Sequence, residues 1–268
     1  MDTQTISDGL SLKKRVTLLT SFLILLLPMV VVADVCTYEK TVSFTVPADA
    51  VQRLSIRAET GALAVYALPT REGEQDEVRV EAHVCSARKA TLDYMDVVHS
   101  LKGDVLLVQA VVPEINSAFW INHYPYIDLD IGIPAGLAVT IKDGSGDMQV
   151  NGSGMLQIDD GSGSITVGGI VGDVRIEDGS GEINVAQVDG AVDIHDGSGA
   201  IDISHVMSDV VVDDGSGELR IAQVGGAVSI SDGSGSIDVV DVEQAVTILE
   251  DGSGSTEYRN ITGDIFQP

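Results

Sequence analysis

Aspartates recur at nearly constant spacing through the C-terminal half of the chain, and each begins the tetrapeptide Asp-Gly-Ser-Gly. The steps between them are 17, 18, 18, 18, 18 and 19 residues. Carboxylate and turn carbonyl oxygens are the ligands that Ca²⁺ prefers, so a row of such turns is a candidate calcium site. The seven aspartates are Asp143, Asp160, Asp178, Asp196, Asp214, Asp232 and Asp251.

A simpler interpretation of the same residues is structural. An aspartate can accept a hydrogen bond from the backbone two residues on and close its own turn while pointing to solvent. We favour this interpretation, because calcium-binding β-rolls place their glycines before the aspartate, in Gly-Gly-x-Gly-x-Asp, whereas here the aspartate comes first.

Catalysis has weak support in the sequence. Some β-helical enzymes hydrolyse polysaccharides with a pair of carboxylates, but here the acids recur evenly and no unique pair stands out. The serine of Gly-Ser-Gly does not match the Gly-x-Ser-x-Gly nucleophile motif either. We therefore predict no catalytic residue and no cofactor other than the candidate calcium.

The residues between the aspartates indicate which elements position them. In the repeat that starts at Asp178 the apolar positions alternate, and the same five offsets are apolar in the following repeats; they are Ile183, Val185, Val188, Val192 and Ile194. Alternating β-branched residues are typical of strands. A repeat of about 18 residues fits one coil of a parallel β-solenoid, with an antiparallel meander as the alternative. We predict the solenoid, since stacking of equivalent residues explains why all five offsets recur.

The predicted organisation has a regular solenoid over residues 143–268 and an irregular solenoid or cap over residues 34–142, continuous with it. Ala58-Glu59-Thr60-Gly61 stands where the tetrapeptide belongs in a degenerate first coil. Residues 87–95 are predicted to contain a short helical insertion in an otherwise all-β chain.

The charge of the chain excludes some partners. Its formal net charge is −26. From Asp143 onward there are 24 acidic residues against three arginines and no lysine. Such a surface repels nucleic acid and anionic lipid.

Residues 1–33 have the pattern of a secretory signal. Lys13, Lys14 and Arg15 precede an apolar run, and Ala33 offers a small residue before a cut. An uncleaved anchor is the alternative. We predict cleavage, no later membrane span, and export to the periplasm, the cell surface or the medium of a bacterium.

Two cysteines follow the signal, Cys36 and Cys85. An even pair in an oxidising compartment favours a disulfide, and no Cys-x-x-Cys spacing indicates a redox or metal role.

One dense aromatic cluster lies between the two parts of the chain. It is a possible sugar- or peptide-binding patch, although we favour a loop or cap that covers the solenoid. Its members are Phe119, Trp120, Tyr124 and Tyr126.

The order of these features resembles a known bacterial family. A signal precedes strands with a short helical insertion, then the phrase Pro-Ala-Gly-Leu-Ala-Val at residues 134–139, then repeated Gly-Ser-Gly-x-Ile-x-Val units. The chain is similar to the "putative adhesin" family of unknown function, related to the head domains of auto-transporter adhesins. The resemblance implies an exported β-solenoid, and the family provides no catalytic residues to carry over.

Taken together, the sequence predicts an exported, non-enzymatic solenoid that acts as an adhesin-like or cell-envelope scaffold. A calcium-binding extracytoplasmic module is the first alternative, and a carbohydrate-active enzyme is the second. A solenoid end is an open strand edge, so homo-oligomers through these edges are also predicted.

Overall fold

The structure, a computed structural model, describes residues 36–69, 76–113 and 125–267. Because aliphatic β-branched residues alternate with polar ones, each repeat forms two short strands. One strand of each repeat belongs to an 11-stranded sheet, here sheet A, and the other to a second 11-stranded sheet, sheet B. The predicted all-β parallel solenoid of about 18 residues per coil is confirmed, and the antiparallel meander is excluded.

The N-terminal part is irregular and contains the short helix that the sequence predicts. Its elements are β1 (Tyr38–Pro47), β2 (Arg53–Arg57), β3 (Leu63–Ala67), β4 (Glu77–Ser86), α1 (Lys89–Leu92), β5 (Asp96–Lys102), β6 (Val105–Val111) and β7 (Tyr126–Ile133).

The regular part alternates between the two sheets along the chain. Its strands are β8 (Ala138–Lys142), β9 (Met148–Asn151), β10 (Leu156–Asp160), β11 (Ile165–Ile170), β12 (Val174–Asp178), β13 (Ile183–Val188), β14 (Val192–Asp196), β15 (Ile201–Val206), β16 (Val210–Asp214), β17 (Gly217–Val224), β18 (Val228–Asp232), β19 (Gly235–Val242), β20 (Val246–Asp251), β21 (Gly254–Ile261) and β22 (Ile265–Phe266).

Equivalent residues of successive coils lie side by side in the parallel sheets. Ile183 pairs with Ile201, which pairs with Leu219, and all three are at most 1% exposed. The degenerate first coil joins the same stack, because Leu54 on β2 pairs with Val139 on β8. The core therefore consists of files of aliphatic side chains that run from the irregular part into the regular part, and each fully buried side chain contributes about 1.5–3 kcal/mol.

The N-terminal end of the solenoid is closed by antiparallel strands. In sheet A, β4 pairs antiparallel with both β1 and β7, and in sheet B β5 pairs antiparallel with β6. Phe44 on β1 stacks on His99 on β5 with ring centroids 4.3 Å apart, which joins the two sheets across this end. A disulfide between Cys36 and Cys85 holds the start of β1 to the end of β4.

Glycine at the corners is required by how closely the coils approach one another. A Cβ atom added to Gly199, where φ is +152°, would lie 1.6 Å from the carbonyl oxygen of Gly181 in the preceding coil. No other residue fits such a contact without moving the backbone.

One coil of the regular part is a residue longer than its neighbours. Between β18 and β20 the register shifts, so that Ile230 pairs with Ile248 while Ser231 pairs with Glu250. The extra residue, Leu249, is 59% exposed. Beyond this shift the two strands are in register again, since Asp232 pairs with Asp251.

The predicted signal, residues 1–33, lies outside the described residues. Within the part of the chain that the structure describes, no helix has the length and apolar character needed to cross a membrane.

Candidate functional site

The aspartates of the tetrapeptides end strands of sheet B or, for Asp143, directly follow one. They face inward, because they continue the alternation that buries the aliphatic residues. Asp214 and Asp232 are each only 2% exposed. Asp251 in the last coil is half-buried. We call the seven the aspartate file; its other members, Asp143, Asp160, Asp178 and Asp196, are buried too. Our interpretation that these side chains point to solvent is therefore wrong for the six buried members. Each of them lies two residues after a buried isoleucine or valine and points in the same direction, as Asp178 does after Ile176.

The predicted turn closure is present. In each buried member, Oδ1 accepts a hydrogen bond from a backbone N–H of its own turn, for example from Gly144 to Asp143 at 2.7 Å and from Ser216 to Asp214 at 3.0 Å. The second carboxylate oxygen, Oδ2, is inaccessible in all six buried members, and it has no hydrogen-bond partner among the residues that the structure describes. A buried unpartnered oxygen of this kind is costly, especially when it is charged.

Burial changes the protonation of these acids. Desolvation is the largest cause, and it raises the pKa of Asp143, Asp178 and Asp214 from 3.8 to about 6, against the lowering effect of the turn hydrogen bonds. For Asp178, the carboxyls of the neighbouring coils raise the pKa further. Burial likewise raises the pKa of Asp160, Asp196 and Asp232.

This geometry limits the chemistry of the aspartate file. The carboxyls face the core, so they do not contact a polysaccharide lying on the surface, as the acids of a glycosidase must. What they offer is a row of unpartnered oxygens in successive coils, which lie about 4.8 Å apart.

A second candidate site lies on the outer face of sheet A. A groove of about 900 Å³ crosses β4, β7, β3, β9 and β11, and we call it the sheet A groove. Ala64 stands between Asp130 and Gln149 in register, so a small side chain forms the floor between two polar walls. Other lining residues include Tyr66, Glu81, His83, Asp128 and Thr166.

The sheet A groove is acidic and internally hydrogen-bonded. His83 Nε2 lies 3.2 Å from Glu39 Oε2, and His83 Nδ1 lies 3.9 Å from Asp128 Oδ2. The Tyr66 hydroxyl donates to Asp130, which raises the pKa of Tyr66 above its ordinary value. This groove was not predicted from the sequence, because Glu81 and His83 reach the parallel strands only through the antiparallel pairing of β4 with β7. The alternation of outward polar residues in each strand was the available signal.

A file of strained residues runs along the C-terminal ends of the sheet A strands in successive coils. Five residues there have the left-handed backbone conformation, with φ between +55° and +60°, and we call them the left-handed file: Gln187, His205, Gln223, Asp241 and Asn260. Each costs about 1–2 kcal/mol relative to glycine or an unstrained backbone. Asn260 donates to Asp241 Oδ1 at 2.8 Å, so neighbouring members can contact each other.

One member of the predicted aromatic patch lies in the part of the chain that the structure describes. Phe119, Trp120 and Tyr124 of the aromatic patch lie outside the described residues, while Tyr126 begins β7 with its ring 6.5 Å from that of His83.

On the outer face of sheet B, His195 lies between Asp193 at 3.3 Å and Asp213 at 3.5 Å. Arg175 in the preceding coil forms ion pairs with Glu177 and Asp193.

Several solved structures are similar to this chain at low sequence identity. They include a "putative adhesin" from Parabacteroides merdae (12% identity, 85% of this chain and 97% of that one, TM-score 0.38). A "putative lipid binding protein" from Parabacteroides distasonis has 14% identity, 85% and 97% coverage, and a TM-score of 0.38. A "putative cell adhesion protein" from Clostridium sporogenes has 11% identity, 85% and 98% coverage, and a TM-score of 0.31.

No curated protein sequence matches the chain. A family model does, and it extends over residues 29–264, which include every described strand of the regular solenoid up to β21. The resemblance inferred from the repeated Gly-Ser-Gly units is confirmed. The chain belongs to the family described as Toastrack DUF4097.

Proposed function

We propose that this chain is an exported, non-enzymatic scaffold that binds a ligand of the cell envelope or of another surface through the outer face of its solenoid. The sheet A groove carries this proposal. It holds polar side chains of five neighbouring strands on a rigid support, with Tyr66, His83 and Gln149 among acidic groups. Its negative charge suits a ligand with amino groups or many hydroxyls, such as an amino sugar.

The support for export is the pair of cysteines. Disulfides persist in oxidising compartments, and the bond between Cys36 and Cys85 closes the end of the solenoid next to the groove. The pattern of residues 1–33 agrees with this, and the periplasm, the cell surface and the medium all fit it. Fractionation of the native bacterium with an antibody against the chain distinguishes these three locations.

The binding proposal is tested on immobilised envelope fractions and on amino-sugar polymers. We expect saturable binding that falls at least 10-fold in Tyr66→Phe combined with Asp130→Asn, since both groups line the groove. The matched control is Asp202→Asn, an exposed carboxylate on β15 outside the groove. Equal binding by the wild type and the groove variant, or binding lost equally in the control, would contradict the groove as the site.

A second candidate function rests on a different observation, the six unpartnered Oδ2 atoms of the aspartate file. We propose that Ca²⁺ enters between neighbouring coils and uses these oxygens, with turn carbonyls and water completing its coordination. Calcium would then raise the melting temperature, and Asp178→Asn combined with Asp196→Asn would abolish the increase. Calorimetry at millimolar calcium with no heat and no shift in melting temperature would eliminate this function and leave protons as the occupants.

A further inference from the structure

The two ends of the solenoid differ in how they are finished. At the N-terminal end, antiparallel strands and the stack of Phe44 on His99 cover the core. At the other end, β21 and β22 are the last strands of sheets A and B among the residues that the structure describes. The second end exposes apolar groups, since Ile265 is 45% exposed and Phe266 is 54% exposed.

The core files reach the surface at β21. Thr256, Tyr258 and Ile261 occupy the positions that Ile237, Val239 and Val242 hold in the coil before. The three residues of the earlier coil are at most 1% exposed, whereas those of β21 are only half-buried. Tyr258 and Ile261 thus pack on the core with one side and face solvent with the other.

The backbone of β21 is prepared for one more strand. In the regular coils the first inward residue of a sheet A strand donates its N–H to the following coil, as Ile183 does to Ala200 O at 2.8 Å. Thr256 is the equivalent residue, and strand alternation gives Tyr258 the same direction. These N–H and C=O groups of β21 therefore face outward from the last coil, along an edge suited to another chain.

We propose that this end is the interface of a two-fold symmetric dimer, in which β21 pairs antiparallel with β21 of a second copy. Tyr258 lies on the symmetry axis. Two such solenoids then join end to end, and both sheets continue across the interface. The proposal goes beyond the binding function above and does not depend on it.

Charge selects this register from the alternatives. With Tyr258 on the axis, Glu257 of each copy lies opposite Arg259 of the other, which gives two cross-strand pairs of opposite charge. A shift that places Glu257 on the axis puts two carboxylates together. A shift to Thr256 places Ser255 opposite Glu257 and forms no ion pair. Glu257 and Arg259 are both exposed on the outer face of β21. Within one copy Arg259 contacts Asp238 at 2.6 Å and Glu257 at 3.9 Å, so the cross-strand pairs of the dimer add to this charged cluster.

Head-to-tail stacking is the alternative, because the N-terminal end also exposes apolar side chains, Tyr38 on β1 and Val98 and Leu101 on β5. The two charge-reversal variants described below distinguish the arrangements, since only symmetric pairing of β21 with itself lets them restore each other's dimers. The large negative charge of the chain opposes association over long distances, but this repulsion is screened within about 10 Å at 0.1 M salt.

The test uses charge reversal and analytical ultracentrifugation of the purified chain. The wild type should form a reversible dimer at 0.15 M salt. Glu257→Arg alone and Arg259→Glu alone should each raise the dimer dissociation constant at least 10-fold, since like charges then face each other. A mixture of the two variants should regain dimers, because every facing pair in the heterodimer has opposite charges. Wild-type protein that stays monomeric at 1 mM, or variants that dimerise like the wild type, would overturn the proposal.

A second measurement covers the case in which Arg259→Glu unfolds the last coil by losing its pair with Asp238. Cysteine at the axis position, Tyr258→Cys, should give a disulfide-linked dimer under mild oxidation, because facing residues at a hydrogen-bonded antiparallel position have Cα atoms about 5.5 Å apart. Ser255→Cys on the same strand is the matched control and should crosslink far less. Equal crosslinking of the two variants would also overturn the proposed register.

Discussion

The hydroxyl of Thr256 donates a hydrogen bond of 3.0 Å to Oδ2 of Asp251. Thr256 stands five residues after this aspartate, at the position where Ile237 follows Asp232 in the coil before. Gln267 donates to the same oxygen at 3.3 Å. The residue five positions after the aspartate thus supplies one of the two partners of this oxygen. In the six buried members the equivalent residue is apolar and has no donor to offer: Met148, Ile165, Ile183, Ile201, Leu219 and Ile237.

The first prediction follows from this comparison. Ile201→Thr should supply a donor to Oδ2 of Asp196, as Thr256 does for Asp251. The matched control is Ile201→Val, which has nearly the same shape and no hydroxyl. A buried threonine usually costs about 1–3 kcal/mol more than valine. Here we expect the two variants to have free energies of unfolding within about 1 kcal/mol of each other at pH 8, measured by urea denaturation.

The difference between these two variants should depend on pH. Burial raises the pKa of Asp196. Lowering the pH from 8 to 4 therefore moves this carboxyl towards its protonated form, which accepts less strongly, and the threonine variant should lose part of its advantage relative to valine. A threonine variant that is about 2 kcal/mol less stable than valine at both pH values would contradict the proposed hydrogen bond.

The second prediction concerns the stability of the whole chain as a function of pH. The pKa of Asp143, Asp178 and Asp214 is raised by burial to about 6 in the folded state, from 3.8. The folded state therefore binds more protons than the unfolded state between these values, and the free energy of unfolding falls as pH rises. Stability should be highest below about pH 4, decline through pH 6, and level off above it.

A pKa raised from 3.8 to about 6 corresponds to at most about 3 kcal/mol for each of these carboxyls, so the melting temperature should fall measurably between pH 4 and pH 7. Thermal denaturation followed by circular dichroism in that range is the measurement. A melting temperature that rises steadily from pH 4 to pH 7 would show that the carboxyls are ionised and paired in the folded state.

The third prediction replaces one carboxyl by its neutral counterpart. Asp178→Asn keeps the oxygen that accepts from the turn at Ser180 and removes the buried charge. We expect the variant to be more stable than the wild type by about 1–2 kcal/mol at pH 8, and by less at pH 4, where the aspartate is itself neutral. The matched control is Asp202→Asn on the exposed face of β15, which should change stability by less than about 0.5 kcal/mol. Loss of stability in Asp178→Asn at pH 8 would instead indicate that a bound cation needs this charge.

The fourth prediction tests the strain of the left-handed file. Gln187 has φ of +59°, which glycine adopts freely. Gln187→Gly should therefore raise the free energy of unfolding by about 0.5–1 kcal/mol, after the entropy lost by glycine on folding is counted. The neighbouring Ala186→Gly has the same entropy loss without strain to relieve, and should lower stability by about 1 kcal/mol. A stabilisation of similar size in both variants would argue against strain at Gln187.

Much of the fold could be predicted from the sequence because the determinants are local and repeated. The five apolar offsets of each coil specify which residues face inward, and a shift of one residue would expose them all. The alternation of Leu54 and Ile56, with the following Ala58-Glu59-Thr60-Gly61, was enough to identify the degenerate first coil. The antiparallel N-terminal end was harder to predict, since β4 pairs with β7 and no repeat in the sequence signals this pairing.

The aspartates show where reasoning from a short motif fails. Asp-Gly-Ser-Gly correctly predicts a turn, because turn closure needs only a side-chain oxygen and a nearby backbone N–H. Asp178 is buried because it lies two and four residues after the inward-facing Ile176 and Val174, on the same side of the strand. Our interpretation gave more weight to the preference of carboxylates for water than to this alternation. Counting alternation through the end of each strand would have placed the carboxyl inside.

The exposed Leu249 shows how the stack accommodates a coil of unequal length. One added residue forms a small outward bulge, while Ile248 and Asp251 keep their partners in the coil before. Insertions at this place therefore alter the texture of the outer surface without disturbing the interior. This point on the outer face of β20 is thus a suitable position for grafting a peptide epitope or a fluorescent label.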